Sequence, residues 1–339
     1  VHDIIMQDAR PPIDSAWNLV FEAAPGRVEA LLAELAWRDV TVVARADPLI
    51  YAYGAQQPAA WAQNTWLDPH VLAIESIGDA ARQLRAKQRN WWSVPTTAYR
   101  RTALVAERLP PVRAAPLEFP AAPPTAPLGA WTLVDRHCLV ASASASSHFP
   151  RGRPQFVEDR AGPPNRAYLK LWEALTLTRD WPQPGQTVLD LGAAPGGWSW
   201  VAATLGADVT AVDRAGLAMA VASNPRVESR RSDAFKVGVS DVDAPDWILC
   251  DVAGYPERIV ALAQYWAEVM PMASLIMTLK FRRNADPTVL DALANIPHAR
   301  LCHLGANKNE LTLFRLPEGG PPEAAPAAKS AANNASLQR

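Results

Sequence analysis

The stretch VLDLGAAPGGW, Val188 to Trp198, constrains the fold more than any other part of the chain. An apolar strand runs directly into glycines and then into a helix, the entry to a βαβ crossover. Around it the pattern alternates. Helical spacing covers 165–178, 196–205, Glu257 to Met270 and Pro287 to Ile296, and apolar strands are expected at Val209 to Asp213, Trp247 to Val252 and Ser274 to Phe281. Alternating units of this kind predict a parallel sheet covered by helices on both faces. LTLFRL at 311–316 has no helix behind it, which fits an antiparallel final strand.

The first half is built differently. Asn18 to Ala23, Val28 to Trp37 and Thr41 to Arg45 read as strand, helix, strand. Pro110 to Pro127 is crowded with proline and alanine, a linker or long loop. Two short strands, Trp131 to Val134 and Cys138 to Ala141, are expected to complete the N-terminal sheet. These patterns predict a smaller α/β domain over 1–150, a junction at 151–164, a second domain over 165–317 and a disordered tail over 318–339, where almost no large apolar residue remains. A chain of 339 residues suits two domains.

A net charge of −1 argues against a protein that coats nucleic acid, so any polyanion contact must be local. One locality is Arg82 to Arg113, where Arg82, Arg85, Lys87, Arg89, Arg100, Arg101 and Arg108 are interleaved with Trp91, Trp92 and Tyr99. Cations among aromatics can hold phosphates and stack unpaired bases. A solvated helix face followed by core tryptophans is the alternative. Arg151, Arg153 and Arg160 at the junction offer further cations. Cys138, Cys250 and Cys302 are too far apart for a zinc pattern and suit reduced core thiols, the histidines show no metal-ligand spacing, and no metal is expected. No apolar run approaches a membrane span and no secretory signal order opens the chain, so a cytoplasmic protein, and a monomer, is expected.

The glycine loop lacks both the G-x-G-x-x-G spacing of dinucleotide enzymes and the Lys-Ser/Thr pair of a P-loop. It suits S-adenosylmethionine (SAM), whose nucleoside carries no phosphate. Gly192, Ala193, Pro195, Gly196, Gly197 and Trp198 are its candidate residues. Asp213, at the end of the next strand, is placed to accept from a ribose diol, and Asp233 from an adenine amino group. Both have a plainer reading, as strand-end or capping aspartates.

Four more residues call for a joint explanation. Asp251 and Lys280 end apolar strands, WILCD and LIMTLK, and should project into the crevice above the sheet. Lys170 lies on a helix whose apolar positions leave its ammonium off the core face, and Glu310 precedes the last strand. With NRAYLKLWEAL, DLGAAPGGW, LCDVAG, TLKF and KNELTLF in this order, the chain resembles the FtsJ-like RNA ribose 2'-O-methyltransferases over about Asn165 to Leu316. The resemblance implies a Rossmann-like, mostly parallel seven-stranded sheet, SAM as cofactor, RNA as substrate and a Lys-Asp-Lys-Glu tetrad at Lys170, Asp251, Lys280 and Glu310. Asn165 stands where serine is commoner and should still cap the helix.

The two-domain layout and HFPRGRPQF look like the bacterial large-subunit rRNA cytidine 2'-O-methyltransferases, which carry a THUMP-type RNA-binding domain in front. 23S rRNA is then the expected partner. In this reading Lys280, beside another lysine and a sulfonium, is expected to give up its proton more readily and to serve as base or to orient the oxygen lone pair. Asp251 orients it, and Asp251 also borders the cofactor. Two rivals are an NAD-dependent oxidoreductase, since Asp213 would hold a ribose diol there too, and a noncatalytic RNA-binding protein that kept the fold.

Overall fold

The computed structural model describes residues 17–282 and 285–317. The expected tail lies outside these residues. The glycine stretch forms what its sequence requires: β-branched and apolar TVLDL makes a buried strand, GAAPG turns, and GWSWVAAT winds into a helix.

The chain begins with β1 (Leu19–Ala23), α1 (Val28–Trp37), β2 (Thr41–Ala46), β3 (Leu49–Tyr53) and β4 (Ala62–Trp66), and these four strands form an antiparallel sheet in the order β2-β3-β1-β4. There follow β5 (Pro69–Ala73), α2 (Ile77–Lys87), β6 (Trp91–Ser93), α3 (Tyr99–Ala106), β7 (Gly129–Leu133) and β8 (Cys138–Ser142). The strands expected near 131 and 141 exist as β7 and β8, but they do not complete the first sheet. They pair with each other and with β6 and β5 in a second sheet, β5-β8-β7-β6. Leu72 and Leu139 are cross-strand partners there, and Trp131 and Leu133 fill the core beneath α2. That partner strand, half-buried β5, was not identified from sequence.

The proline-rich 110–127 stretch is irregular, yet it is docked. Phe119 stacks on Trp172 at 4.9 Å, and Leu117 bridges to Phe156. An aromatic pair of this kind contributes about 1 kcal/mol beyond area burial.

The second half holds α4 (Tyr168–Thr178), β9 (Thr187–Leu191), α5 (Gly197–Thr204), β10 (Asp208–Asp213), α6 (Met219–Ala222), β11 (Val227–Arg231), β12 (Trp247–Cys250), α7 (Pro256–Val269), β13 (Ser274–Lys280), α8 (Pro287–Ala294), β14 (Ala299–Cys302) and β15 (Glu310–Arg315). The sheet has seven strands in the order β11-β10-β9-β12-β13-β15-β14. β15 pairs antiparallel with both its neighbours, and every other pairing is parallel. The antiparallel last strand and the mostly parallel sheet are as expected. β11 and β14 escaped the sequence reading because VESRR and ARLC are polar edge strands with little apolar signal.

The order of strands reverses between β9 and β12, so the carboxyl ends of these two strands border the crevice where ligands of such sheets bind. The first small sheet packs against this half: Leu31, Leu35 and Trp61 share one apolar cluster with Ile248, Leu279 and Leu311.

Candidate active site

Three strands and one helix bring the tetrad together. Lys280 ends β13 and Glu310 opens β15, and the two are direct partners in the antiparallel register. Partners across such a pair project from the same face of the sheet, which places a lysine beside a carboxylate by geometry alone. Asp251 follows β12, the neighbour of β13.

Lys170 comes from α4. Its Nζ donates to Glu310 Oε2 at 2.8 Å and to Asp251 Oδ2 at 3.0 Å. Lys280 Nζ lies 3.0 Å from Asp251 Oδ1 and donates to the Asp251 main-chain carbonyl at 2.7 Å. Asp251 thus joins both lysines.

The expectation that Lys170 sits off the core face needs correction. Nearly every side of α4 is covered, and Lys170 is only 8% exposed. Its pKa is shaped first by burial, which disfavours the ammonium, but Asp251 and Glu310 together outweigh that and raise it above the ordinary lysine value. Lys170 is therefore a fixed cation. Lys280 has a 31% exposed side chain, so it is the lysine that faces the open side.

Glu310 is held from behind. Arg27, just before α1, donates to Asn309 Oδ1 at 3.0 Å and to the Lys308 carbonyl at 2.7 Å, and Asn309 donates to the Phe281 carbonyl. Glu173, one turn after Lys170, accepts from the Gly305 N–H at 2.7 Å. Residues at this spacing share a helix face, so α4 grips the 305–310 segment at two points. Neither Arg27 nor Glu173 was singled out from sequence, because no local pattern marks a contact over such separations.

The glycine turn borders the same crevice. Gly192 has φ +79° and its added Cβ would stand 2.6 Å from Val252 Cβ, while Gly196 has φ +113°. Both positions demand glycine, for conformation and for space. Asp213 Oδ2 accepts from the Ala194 N–H at 3.0 Å and Oδ1 from the Ala215 N–H at 2.7 Å, so this carboxylate ties the turn to the end of β10. Pro195 follows a cis peptide bond. Ala193 and Trp198 are buried, and the Trp198 indole N–H donates to the Ala167 carbonyl at the start of α4. A Cβ on Gly197 would strike Asn165 Oδ1, which accepts from the Ala167 N–H. The expectation that Asn165 caps the helix needs correction, because α4 starts later, with Ala167 at the cap position and no side-chain cap, and Asn165 instead closes the turn leading into it.

Asp233 caps a short 3-10 turn through the Phe235 N–H, its plainer expected reading. Phe235 carries the Arg258 guanidinium 3.8 Å from its ring centroid.

Two further features went unread in the sequence. Asp190, within β9, is fully buried, and burial pushes its carboxyl up to about 7 despite the hydrogen bond from Ser199 at 2.6 Å. Tyr255, four residues past Asp251, is 57% exposed with the Arg282 guanidinium 5.0 Å from its ring centroid.

The basic residues have diverse surroundings. Arg82 pairs with Asp79, Arg85 donates to the Arg108 carbonyl and Arg101 to the Arg136 carbonyl. Lys87, Arg89, Arg100 and Arg151 are exposed, Trp91 is core, and Tyr99 is 66% exposed. Arg153 is half-buried and its charge bears on Glu22, Glu173 and His303. Cavity size does not mark the site. A cavity of about 560 Å³, lined by Asp180, Gln186, Asp246, Trp247 and Ser274, lies at the opposite, amino ends of β9, β12 and β13. Among the described residues no cluster of ligand side chains suits a metal ion, and no helix is long and apolar enough to cross a membrane.

Residues 163–298 match the family described as FtsJ-like methyltransferase. The chain is 35% identical over 187 residues to a ribosomal RNA large subunit methyltransferase M of Halorhodospira halophila, covering 53% of this chain and 54% of that protein. A protein of the same name from Alkalilimnicola ehrlichii is 35% identical over 40% of this chain and 39% of its own length. The chain thus spans about half the length of these relatives, or less. Among solved structures, TrmN from Thermus thermophilus aligns over 87% of this chain and 98% of its own at 18% identity and a TM-score of 0.35.

Proposed function

From the FtsJ-like methyltransferase match of residues 163–298, we propose that the protein transfers a methyl group from SAM to a ribose 2'-hydroxyl of RNA, with 23S rRNA as the substrate. The observation that carries this reading is the convergence of Lys170, Asp251, Lys280 and Glu310 beside the glycine turn.

The turn fits the cofactor. Gly192 and Gly196, where a Cβ would strike Val252 and Val221, keep its backbone tight against the strand ends and free of side chains, and Asp213 stands at the carboxyl end of the neighbouring strand. Gly192, Ala193, Pro195, Gly196, Gly197, Trp198 and Asp213 would build the cradle, and Asp233 and Asp251 its far walls. Bound there, SAM supplies an electrophilic sulfonium methyl.

The protein's own task is to position and deprotonate a hydroxyl. Lys170 stays an ammonium between two carboxylates and keeps Glu310 and Asp251 in place. Lys280, the more open of the two lysines and oriented by Asp251, either aligns the hydroxyl oxygen as an ammonium or, after releasing one of its own protons to solvent, takes the hydroxyl proton on the free Nζ lone pair. A positioned base of this kind contributes about 10²- to 10⁴-fold.

Residues 1–150 form the RNA-binding, THUMP-like part in this reading, with 151–164 as the connection and 165–317 as the transfer domain. Arg82, Arg85, Lys87, Arg89, Arg100, Arg101, Arg151 and Arg153 are its candidate RNA contacts, and the protein works as a cytoplasmic monomer. The test is transfer of labelled methyl from SAM to 23S rRNA taken from a strain lacking the gene, with the product mapped by resistance of the modified ribose to alkaline cleavage. Label in a base, or none at all, would overturn the reading.

A further inference from the structure

A second concavity, of about 380 Å³, lies in the N-terminal half between α2, α3 and the β7–β8 turn. Its lining includes Arg101, Arg108, Arg136 and His137, together with Ser76 and Gly78 at the start of α2. Glu75 is the one acid among its lining residues.

The arginines differ from others in the molecule. Arg38, Arg45, Arg82, Arg166, Arg226 and Arg230 each form an ion pair. Among the described residues, Arg101, Arg108 and Arg136 form none. Main-chain carbonyls anchor the local structure instead: Arg101 donates to the Arg136 carbonyl and Arg85 to the Arg108 carbonyl. Arg101 Nε is buried without any acceptor. Arg108 Nη1 comes within 3.1 Å of where a Gly78 Cβ would stand, so the absent side chain lets the guanidinium lie over the first turn of α2.

Ser76 Oγ caps that helix through the Asp79 N–H. The N–H groups of Ile77 and Gly78 precede any intrahelical acceptor. Two nearby acids are engaged elsewhere, Asp79 with Arg82, Gln83 and the Glu75 N–H, and Asp135 with the His137 N–H, which leaves the Glu75 carboxylate in the lining against three arginines. Three guanidiniums that outnumber the one carboxylate, converging on a hollow at the positive end of a helix, favour a multivalent oxyanion.

The geometry points to this hollow as a docking site for a backbone phosphate of single-stranded RNA, a proposal that rests on the RNA substrate proposed above. RNA is favoured over a free anion because α3, which supplies Arg101, begins with the exposed Tyr99 and Arg100. Tyr99 stands outside the lining of the hollow, on the same first turn of α3, where an exposed ring offers a stacking surface to a neighbouring base of an unpaired strand whose phosphate is held at the arginines.

The test uses the whole chain and a fluorescent mixed-sequence RNA oligonucleotide, with affinity measured over a series of salt concentrations. The pair Arg108→Gln and Arg136→Gln changes two exposed side chains. It is expected to weaken RNA binding at least about fivefold and to reduce the salt slope by about one or more, with the thermal midpoint unchanged. Arg226→Gln with Arg300→Gln removes the same charge elsewhere and should stay within about twofold. Equal behaviour of the two pairs would overturn the proposal. Inorganic phosphate, titrated by calorimetry, is the second arm: phosphate binding lost in the first pair while RNA affinity stays intact makes this a small-anion site and overturns the assignment to RNA. Since binding is read and not turnover, RNA held through this hollow by a protein that transfers no methyl would defeat the methyltransferase reading and leave this one standing.

Discussion

Carboxylates drawn away from solvent occur in two settings in this protein. Half-buried Asp251 and Glu310 meet the Lys170 ammonium at 3.0 and 2.8 Å, whereas the more deeply buried Asp190 and Glu173 are given neutral donors, the Ser199 hydroxyl and the Gly305 N–H. Burial pushes both of the latter up to about 7. The difference teaches how one fold uses acids in two ways. Beside lysines they hold charge at the crevice above the strand ends, and beside neutral donors they act as hydrogen-bonding struts that shed charge easily.

The contrast is broken most severely at Lys280. Lys280→Ala is expected to lower the methyl-transfer rate at least about 10³-fold, with SAM affinity within about tenfold and little change in stability, since that side chain is part exposed. Single-turnover transfer and calorimetry read the two quantities, and retained turnover would remove Lys280 from its assigned role. Lys170→Ala should differ in kind. It leaves Glu310 without its cation and Asp251 with Lys280 alone, a loss of about 2 to 4 kcal/mol in stability besides activity, below the cost of a fully buried unpaired charge because both carboxylates are only half-buried. Urea unfolding tells the two variants apart; equal stability loss would mean that both lysines serve as struts.

How far the sequence disclosed this follows from where the information lies. The tetrad was legible because strand-end positions and a family pattern mark it, and the Lys280–Glu310 register follows from an antiparallel last strand. The burial of Lys170 was not, because helical periodicity finds one apolar stripe, and α4 is covered on further sides by β15 and by the docked loop with Phe119. Arg27 clasping the loop before Glu310 was also hidden, since its partners lie some 280 residues onward in sequence. The same limit placed β7 and β8 in the wrong sheet: alternation shows a strand, and pairing depends on β5 and β6, which carry weak signals.

At the cofactor loop the contrast becomes milder, because Asp213 is held by two N–H groups and partly open. Asp213→Ala removes a charged acceptor, for which about 1.5 to 3 kcal/mol is usual, so SAM affinity should fall about 10- to 150-fold. Asp213→Asn keeps one acceptor for the loop and should fall less. Equal loss in both would assign Asp213 to the ligand alone and not to the turn.

The gentlest test concerns the acids that have no lysine. Glu22, Glu173 and Asp190 are each pushed up to about 7 by burial, while unfolding returns them to the ordinary carboxylate range. Between about pH 4.5 and 7 the folded protein therefore holds protons that the unfolded chain has released, and stability must decline as pH rises through this window. Each group can contribute at most about 3 to 4 kcal/mol. Urea midpoints should fall from pH ~5.5 to pH ~8 and level off above. Glu173→Gln keeps an oxygen for the Gly305 N–H but cannot ionise, so its midpoint should fall less over the same range. A wild-type midpoint that climbs instead would mean that Arg153, whose charge opposes burial at Glu22 and Glu173, keeps these acids ionised. The two settings of buried carboxylate would then be one, and Arg153 would be committed to the interior and unavailable to RNA.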